Sequence, residues 1–365
     1  MTRSRKYLSY LLNPFELLRT QKVLHVNPTV IPKRTEPERT KIYVYDYNTA
    51  ESAERSLLKV DDCFPYLHSG KITWINMDGL RKEDVEKVCN HYGIHPLIQE
   101  DILSVGQRPK MDEINGLIYC LMSMLYWNEE QSAVETEQIS IVLGKDFVIS
   151  FQEDASKDVF NPLREKLKFA ASKIRQQNAD YLFYTLIDLI VDNYYTVMER
   201  LGEGIEALEE DIIRHADTKS LGKINMLRKE MIVLKRSISP VRELVNGILR
   251  SESELVEERT EKYFKDVYDH IVQANDLAEN YRDMMMNLQD LYLSNVNLKM
   301  NEVMKVMAVV TCLLAPATVI GGIFGMNFDK NVNFFHQPWG FYSAIAFMLL
   351  IPIWMVFIFR KRGWF

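Results

Sequence analysis

Hydrophobic and polar positions along this chain fall into three regimes. The first holds short apolar and β-branched segments bounded by turn formers. They are KIYVYDY (Lys41–Tyr47), KITWINM (71–77), GLIYCLMSMLYW (116–127), EQISIVL (137–143) and DFVISF (146–151). Such segments read as strands. Helical stretches at 81–91 and 96–104 lie between them, so residues 1–155 are expected to form an α/β domain. In the second regime, from about Val159 to Met300, the period lengthens to that of a helix and glycine and proline become scarce. Breaks are expected near Asp217 and at the Ser239-Pro240 pair. The third regime holds two apolar runs. Residues 303–324 are 22 residues with one charge, Lys305, and residues 339–359 are 21 residues with none. Each exceeds the roughly 20 apolar residues that span a bilayer. One such run could be a buried core helix, but two in tandem read as a membrane hairpin.

The second regime ends in the sharpest pattern of the chain. Phe264, Val267, Ile271, Ala274, Ala278, Tyr281, Met285, Leu288 and Tyr292 alternate spacings of three and four. This is a sustained heptad seam. With no breaker before the first apolar run, it predicts one helix from near Glu254 to Phe324. That is roughly 70 residues, on the order of 100 Å. It must pack on upstream helices, on copies of itself, or both. The expected organisation is an α/β domain at 1–155 and a helical region at 156–300, whose stalk helix starts near 254. A first span at 301–324, a loop at 325–338, a second span at 339–360 and a basic tail at 361–365 follow.

Composition narrows the reading. Charged residues make up 26% and the formal net charge is −6, which disfavours non-specific nucleic-acid binding. The four cysteines show no CxxC spacing, so neither a disulfide framework nor a zinc-finger pattern is expected. The basic N-terminal segment is broken by Ser9, Asn13 and Glu16 and does not read as a signal peptide. Arg360, Lys361 and Arg362 follow the second run, and Lys299 and Lys305 bracket the start of the first. The positive-inside rule therefore expects both termini in the cytoplasm. His91 and His95 have the i, i+4 spacing of helical metal ligands, but Gly93 and Pro96 favour a turn. No Walker loop, GxSxG, HExxH or dinucleotide fingerprint occurs, so an enzyme is not expected.

The seam changes character in the first apolar run. Asn301, Met304, Met307, Thr311, Ala315, Thr318 and Gly322 continue the same face. They are polar, small or soft. Val309, Leu313, Leu314, Val319, Ile320 and Ile323 lie opposite. Two readings stay open. Small residues and threonines let membrane helices pack closely, as GGxxG at 321–325 would. Alternatively the stripe lines a pore, with the methionines as an apolar constriction. A pore requires an oligomer, since one hairpin cannot enclose it.

Several blocks carry a family resemblance. NEVMKVM (301–307), Pro316 and GMNF (325–328) resemble the CorA family of magnesium transporters. So do YGIHPLIQEDILSVGQRPK (92–110), ADYLFYTLIDLIVDNY (179–194), YFKDVYDHIVQ (263–273) and the terminal RKRGWF. The resemblance implies a funnel-shaped homopentamer in the cell (inner) membrane, passing divalent cations. The ion implied is Mg²⁺, with Co²⁺ and Ni²⁺ as lesser substrates. Gly325, Met326 and Asn327 would form the outer mouth, and Thr318, Thr311 and Asn301 polar rings below it. Met304 and Met307 would form the hydrophobic gate, and Arg360, Lys361 and Arg362 a basic ring. By the same resemblance Asp101 and Asp266 would hold a regulatory Mg²⁺ across a subunit boundary, with Glu100 and Asp188 as second-site ligands.

One departure is visible. The outer loop, FDKNVNFFHQPWG, lacks the Met-Pro-Glu-Leu segment of well-known members and carries one acidic residue, Asp329. His336 in that loop keeps Zn²⁺ as an alternative ion. A non-conducting, membrane-anchored coiled-coil scaffold is the alternative of a different class.

Overall fold

The computed structural model describes residues 37, 39–154, 158–214, 218–326 and 338–364. The chain divides into two compact units, Met1–Ile205 with Met226–Asp283, and Glu206–Asn225 with Met284–Phe365.

The first unit is built on a sheet of seven strands. They are β1 (Lys41–Tyr47), β2 (Ser52–Leu57), β3 (Ile72–Asp78), β4 (Lys110–Ile114), β5 (Leu117–Asn128), β6 (Ala133–Leu143) and β7 (Phe147–Gln152). Their order is β2-β1-β3-β7-β6-β5-β4. The β3–β7 pair is parallel and the other pairs are antiparallel. The 3₁₀ segment Val60–His68 and helices α1 (Lys82–His91) and α2 (Pro96–Leu103) cover one face. There Val85, Val88, Cys89, Ile98 and Ile102 join Ile75, Met77, Val142 and Ile149 in one cluster. Trp74 packs against Tyr45 at 4.8 Å and edge-on against Phe160 at 5.9 Å, beside α3 (Asn161–Lys168). Tyr194, on α4 (Ala179–Arg214), donates to the Ser123 carbonyl at 2.8 Å. Elements that cover a sheet on both faces explain why β7, FVISFQ, is buried at every position, Ser150 and Gln152 included.

Two strands escape the sequence reading. β2 is largely exposed and has no apolar alternation. β4 is a short edge strand joined to β5 by Asn115-Gly116, whose φ values are 56° and 72°. A two-residue Asn-Gly loop with both φ positive is the favoured hairpin turn.

Helices α5 (Thr218–Arg250), α6 (Glu258–Phe324) and α7 (Pro338–Lys361) complete the described elements. Asp217 lies outside the described residues. The break expected at Pro240 does not occur, because α5 runs through it. An interior proline costs about 3 kcal/mol. Leu234, Ile238, Val241, Leu244 and Val245, all buried, hold the helix on both sides of it. The long helix starts at Glu258, where the Glu257 carbonyl accepts from the Thr260 and Glu261 amides at 2.8 and 3.1 Å. It runs unbroken for 67 residues.

The seam is buried by the chain's own helices. Phe264, Val267, Ile271 and Ala274 are fully buried in the first unit. Phe264 meets Phe183 of α4 at 6.0 Å. Gly202 of α4 leaves room for Tyr281, whose hydroxyl oxygen would lie 2.5 Å from any Cβ there. In the second unit Met285 and Leu288 are buried, and Asn295 donates to the Ile212 carbonyl at 3.0 Å.

Ile271→Ala should lower stability by about 2–5 kcal/mol, because the cavity opens in a packed seam. Gln273→Ala, on the exposed side of the same helix, should stay within about 0.5 kcal/mol. Denaturant titration of the two variants read by circular dichroism checks this. Equal stabilities would refute a buried seam.

Candidate functional site

Among the described residues, two helices are long and apolar enough to cross a membrane, and in each only 6% of the most apolar window is buried. They pack on each other along one stripe in the second unit. Val309 and Ala344 are buried, and a Cβ on Gly321 would meet the Met348 methyl group at 3.6 Å. The other candidate positions of α6 face away from that contact. Asn301, Thr311 and Thr318 are exposed, as are Met304 and Met307 at 52% and 66%. The Thr311 hydroxyl donates to the Met307 carbonyl at 2.9 Å, and the Thr318 hydroxyl to Leu314 at 3.0 Å. Each hydroxyl proton is spent within the helix, so the oxygen presents lone pairs outward. Both residues therefore act as acceptors, which suits water or a hydrated cation. The faces opposite the stripe split in two. Val309 is buried, while Leu314 and Val319 stay about 60% exposed, as a lipid-facing surface requires.

The helix exit is close-packed. The Gly325 amide donates to Gly321 at 3.0 Å, and Met326 donates to Ile323 at 3.2 Å. A Cβ on Gly325 would press to 3.3 Å on the Gly321 carbonyl oxygen. Asn327, Asp329 and His336 lie outside the described residues. At the far end of α7, Arg360, Lys361 and Arg362 are all exposed. Gly363, at φ 71°, turns the chain so that the Trp364 amide reaches the Phe359 carbonyl at 2.9 Å, and the two rings stack at 5.2 Å. The Lys305 ammonium donates to the Gly363 carbonyl at 3.4 Å. The single charge of the first apolar run is thus drawn to the tail of the second.

The regulatory candidates separate into two places. Glu100 and Asp101 lie on α2. Glu100 is exposed, while Asp101 is ion-paired to Lys110 at 2.6 Å with 17% of its side chain accessible. A cation there must share the carboxylate with an ammonium. Asp266 lies exposed on α6. No hydrogen bond or ion pair joins Asp101 to Asp266 among the described residues.

Asp188 belongs to a more compact constellation. Ligand atoms of Asp188, Asp192 and His270 all lie within 4.8 Å of one another. Asp188 and Asp192 are one turn apart on α4, and His270 stands one turn beyond Asp266 on α6. Burial, then the neighbouring Asp192 charge, pushes the Asp188 carboxyl up, and Asp266 adds to the same effect. Tyr184 donates to Asp188 Oδ2 at 3.1 Å. Tyr195 fixes the His270 backbone through a 2.6 Å hydrogen bond, and His270 Nδ1 is buried without a hydrogen-bond partner. Crowded carboxylates beside an open imidazole nitrogen are relieved by a divalent cation. The mixed oxygen and nitrogen donors suit Co²⁺, Ni²⁺ or Zn²⁺ as well as a harder ion.

Asp192 and His270 were missed in the sequence reading. The two i, i+4 pairs Asp188/Asp192 and Asp266/His270 were visible, but only packing of α4 on α6 makes them face each other. The His91 and His95 pair is structural. His91 stacks on Phe64 at 4.0 Å, and His95 Nδ1 accepts from the Leu97 amide at 3.2 Å at the start of α2.

Comparison with known proteins bears on the family and the fold. Residues 69–361 match the family model described as CorA-like Mg²⁺ transporter protein. The chain is 37% identical over 328 residues to the cobalt/magnesium transport protein CorA of Thermotoga maritima, covering 90% of this chain and 93% of that one. It is 24% identical over 295 residues to the protein of the same name from Methanocaldococcus jannaschii, covering 80% and 92%. The complete structure of the CorA magnesium transporter from that organism superposes with a TM-score of 0.72 at 20% identity, covering 91% of this chain and all of that one. With a matching family model over most of its length, a close relative and a shared fold, the chain belongs to the CorA family.

Proposed function

We propose that the chain assembles as a homopentamer in the cell (inner) membrane and passes divalent cations, Mg²⁺ foremost and Co²⁺ and Ni²⁺ less well. The observation that carries this reading is the exposed stripe of Asn301, Thr311 and Thr318 on α6. Outward acceptor oxygens on an otherwise apolar helix are costly against lipid and useful around water. Five copies would turn the stripe toward a common axis. The names of the relatives, cobalt/magnesium transport proteins, support the ion class.

In this reading Gly325, Met326 and Asn327 form the outer mouth. Neutral amide oxygens accept hydrogen bonds from a hydrated Mg²⁺, which gives up its water reluctantly. A carboxylate ring would hold the ion harder. Met304 and Met307 narrow the inner half, and Arg360, Lys361 and Arg362 surround the cytoplasmic end, on the side of both termini. Transport is passive. The membrane potential supplies about 4.6 kcal/mol per 100 mV for a divalent ion, twice the single-charge value. Cytoplasmic Mg²⁺ bound at Asp101, Asp266, Glu100 and Asp188 would favour the closed pore, and its loss would shift the population toward the open one. Zn²⁺ as cargo is the second reading, favoured by the imidazole in the Asp188 cluster.

Proteoliposomes carrying the wild type should take up Mg²⁺, and Asn327→Ala should reduce uptake to that of empty vesicles. Uptake of Zn²⁺ without Mg²⁺ would overturn the ion, and no uptake of either would favour the scaffold. Asp266→Asn should keep conducting at internal Mg²⁺ levels that silence the wild type. His270→Ala should abolish the visible absorption that Co²⁺ acquires on binding the full-length protein. An unchanged Co²⁺ spectrum would remove the Asp188–Asp192–His270 cluster as a metal site.

A further inference from the structure

A layer of aromatic rings lies directly N-terminal to the Asp188 cluster along the same two helices. On α4, Tyr181, Tyr184, Asp188 and Asp192 follow each other at spacings of three and four, so they share one face. On α6, Tyr263 precedes His270 by two turns on the facing side. The rings of Tyr181, Tyr184 and Tyr263 form a near-equilateral triangle, with centroids 5.3, 5.3 and 5.2 Å apart. The face of a tyrosine ring attracts a cation.

The chain supplies that cation itself. The Lys173 ammonium stands 4.2 Å from the Tyr263 ring centroid and 5.3 Å from that of Tyr181, and it donates a hydrogen bond to the Tyr263 hydroxyl. Its short 3₁₀ segment, Lys173–Gln176, is pinned by its neighbours. Ile174 and Arg175 are buried, and Arg175 donates to the Asn48 carbonyl at 3.0 Å. The hydrogen bond to Tyr263 raises the Lys173 pKa further above its already high ordinary value, so the side chain is charged under physiological conditions. Tyr184, whose ring meets those of both Tyr181 and Tyr263, donates to Asp188 Oδ2 at 3.1 Å. A fixed positive charge is therefore linked through one ring layer to a carboxylate of the cluster. The two levels are about two helical turns, roughly 10 Å, apart.

We propose that Lys173, held over the rings of Tyr263 and Tyr181, is a built-in competing cation that sets how tightly the Asp188–Asp192–His270 cluster holds a divalent ion. This rests on the reading of that cluster as a metal site. The ammonium partly satisfies the negative potential of the cluster when no ion is bound and repels a second cation that enters. It holds the affinity down, so that the site empties as ion concentration falls instead of staying filled. A regulatory site needs that property, and a purely structural metal site does not. Lys173 is a positioning residue for charge and is not itself a ligand.

The test is Co²⁺ titration of the full-length protein, followed by visible absorption, with His270→Ala as the blank. Lys173→Met should tighten Co²⁺ binding about three- to tenfold at low salt, as expected for one charge at this separation. The gain should shrink towards nothing at about 1 M salt, where the screening length is roughly 3 Å. Lys173→Gln should behave like Lys173→Met, and Lys173→Arg like the wild type, because charge and not shape is the variable. A merely structural lysine would show neither the salt dependence nor the rescue by arginine. His270-dependent Co²⁺ binding that ignores all three substitutions, or weakens in Lys173→Met, overturns the inference and leaves the metal site standing. Absence of His270-dependent binding in the wild type overturns both.

Discussion

A helix of 67 residues cannot bury its whole circumference, and it is not stable alone. The burial of a single heptad stripe on α6 is therefore the constraint on which the rest depends. Where Phe264, Val267, Ile271 and Ala274 are enclosed, the stripe is apolar and α4 lies against it. Because the same stripe orients the helix, it also orients what lies beside it, Tyr263, Asp266 and His270. The carboxylates and tyrosines of α4 meet these residues because both helices present one face at spacings of three and four.

Further along, the requirement inverts. In 303–324 nearly every side chain is apolar, and burial no longer separates inside from outside. Polarity then marks the special face. Thr311 and Thr318 satisfy their own protons on backbone carbonyls and keep oxygen lone pairs exposed. Contact with α7 uses a different stripe, centred on Val309. The polar stripe is left for another surface, which the proposed oligomeric pore would supply.

Charge is handled differently at the two candidate ion sites in the first unit. Asp101 is already neutralised by Lys110 at 2.6 Å. Asp188 has no such direct partner, and burial with two acidic neighbours raises its pKa. Lys173 stands one ring layer away, and the His270 imidazole lies within the cluster itself. Poising a site between empty and filled calls for such partial compensation, since a full ion pair would exclude the ion and none would trap it.

Much of this was legible in sequence because it follows from local periodicity. Two apolar runs, a seam at alternating three and four, and β-branched segments specify helix, span and strand through the geometry of side-chain projection. The blocks around GMNF and FKDVYD carried the family. One local signal was present and overlooked: Asn115-Gly116 marks the β4–β5 hairpin. Other features depend on long-range packing. Pro240 stays inside α5 because buried residues on both sides hold it, which no local rule expresses. β2 became a strand through its edge pairing with β1, despite lacking an apolar face. Likewise Asp192, His270 and Lys173 are unremarkable in sequence, separated from one another by up to 97 positions. Periodicity determined which residues share a face of one helix. Only the tertiary structure decided which faces meet, because the register between two helices is set by packing along their whole length.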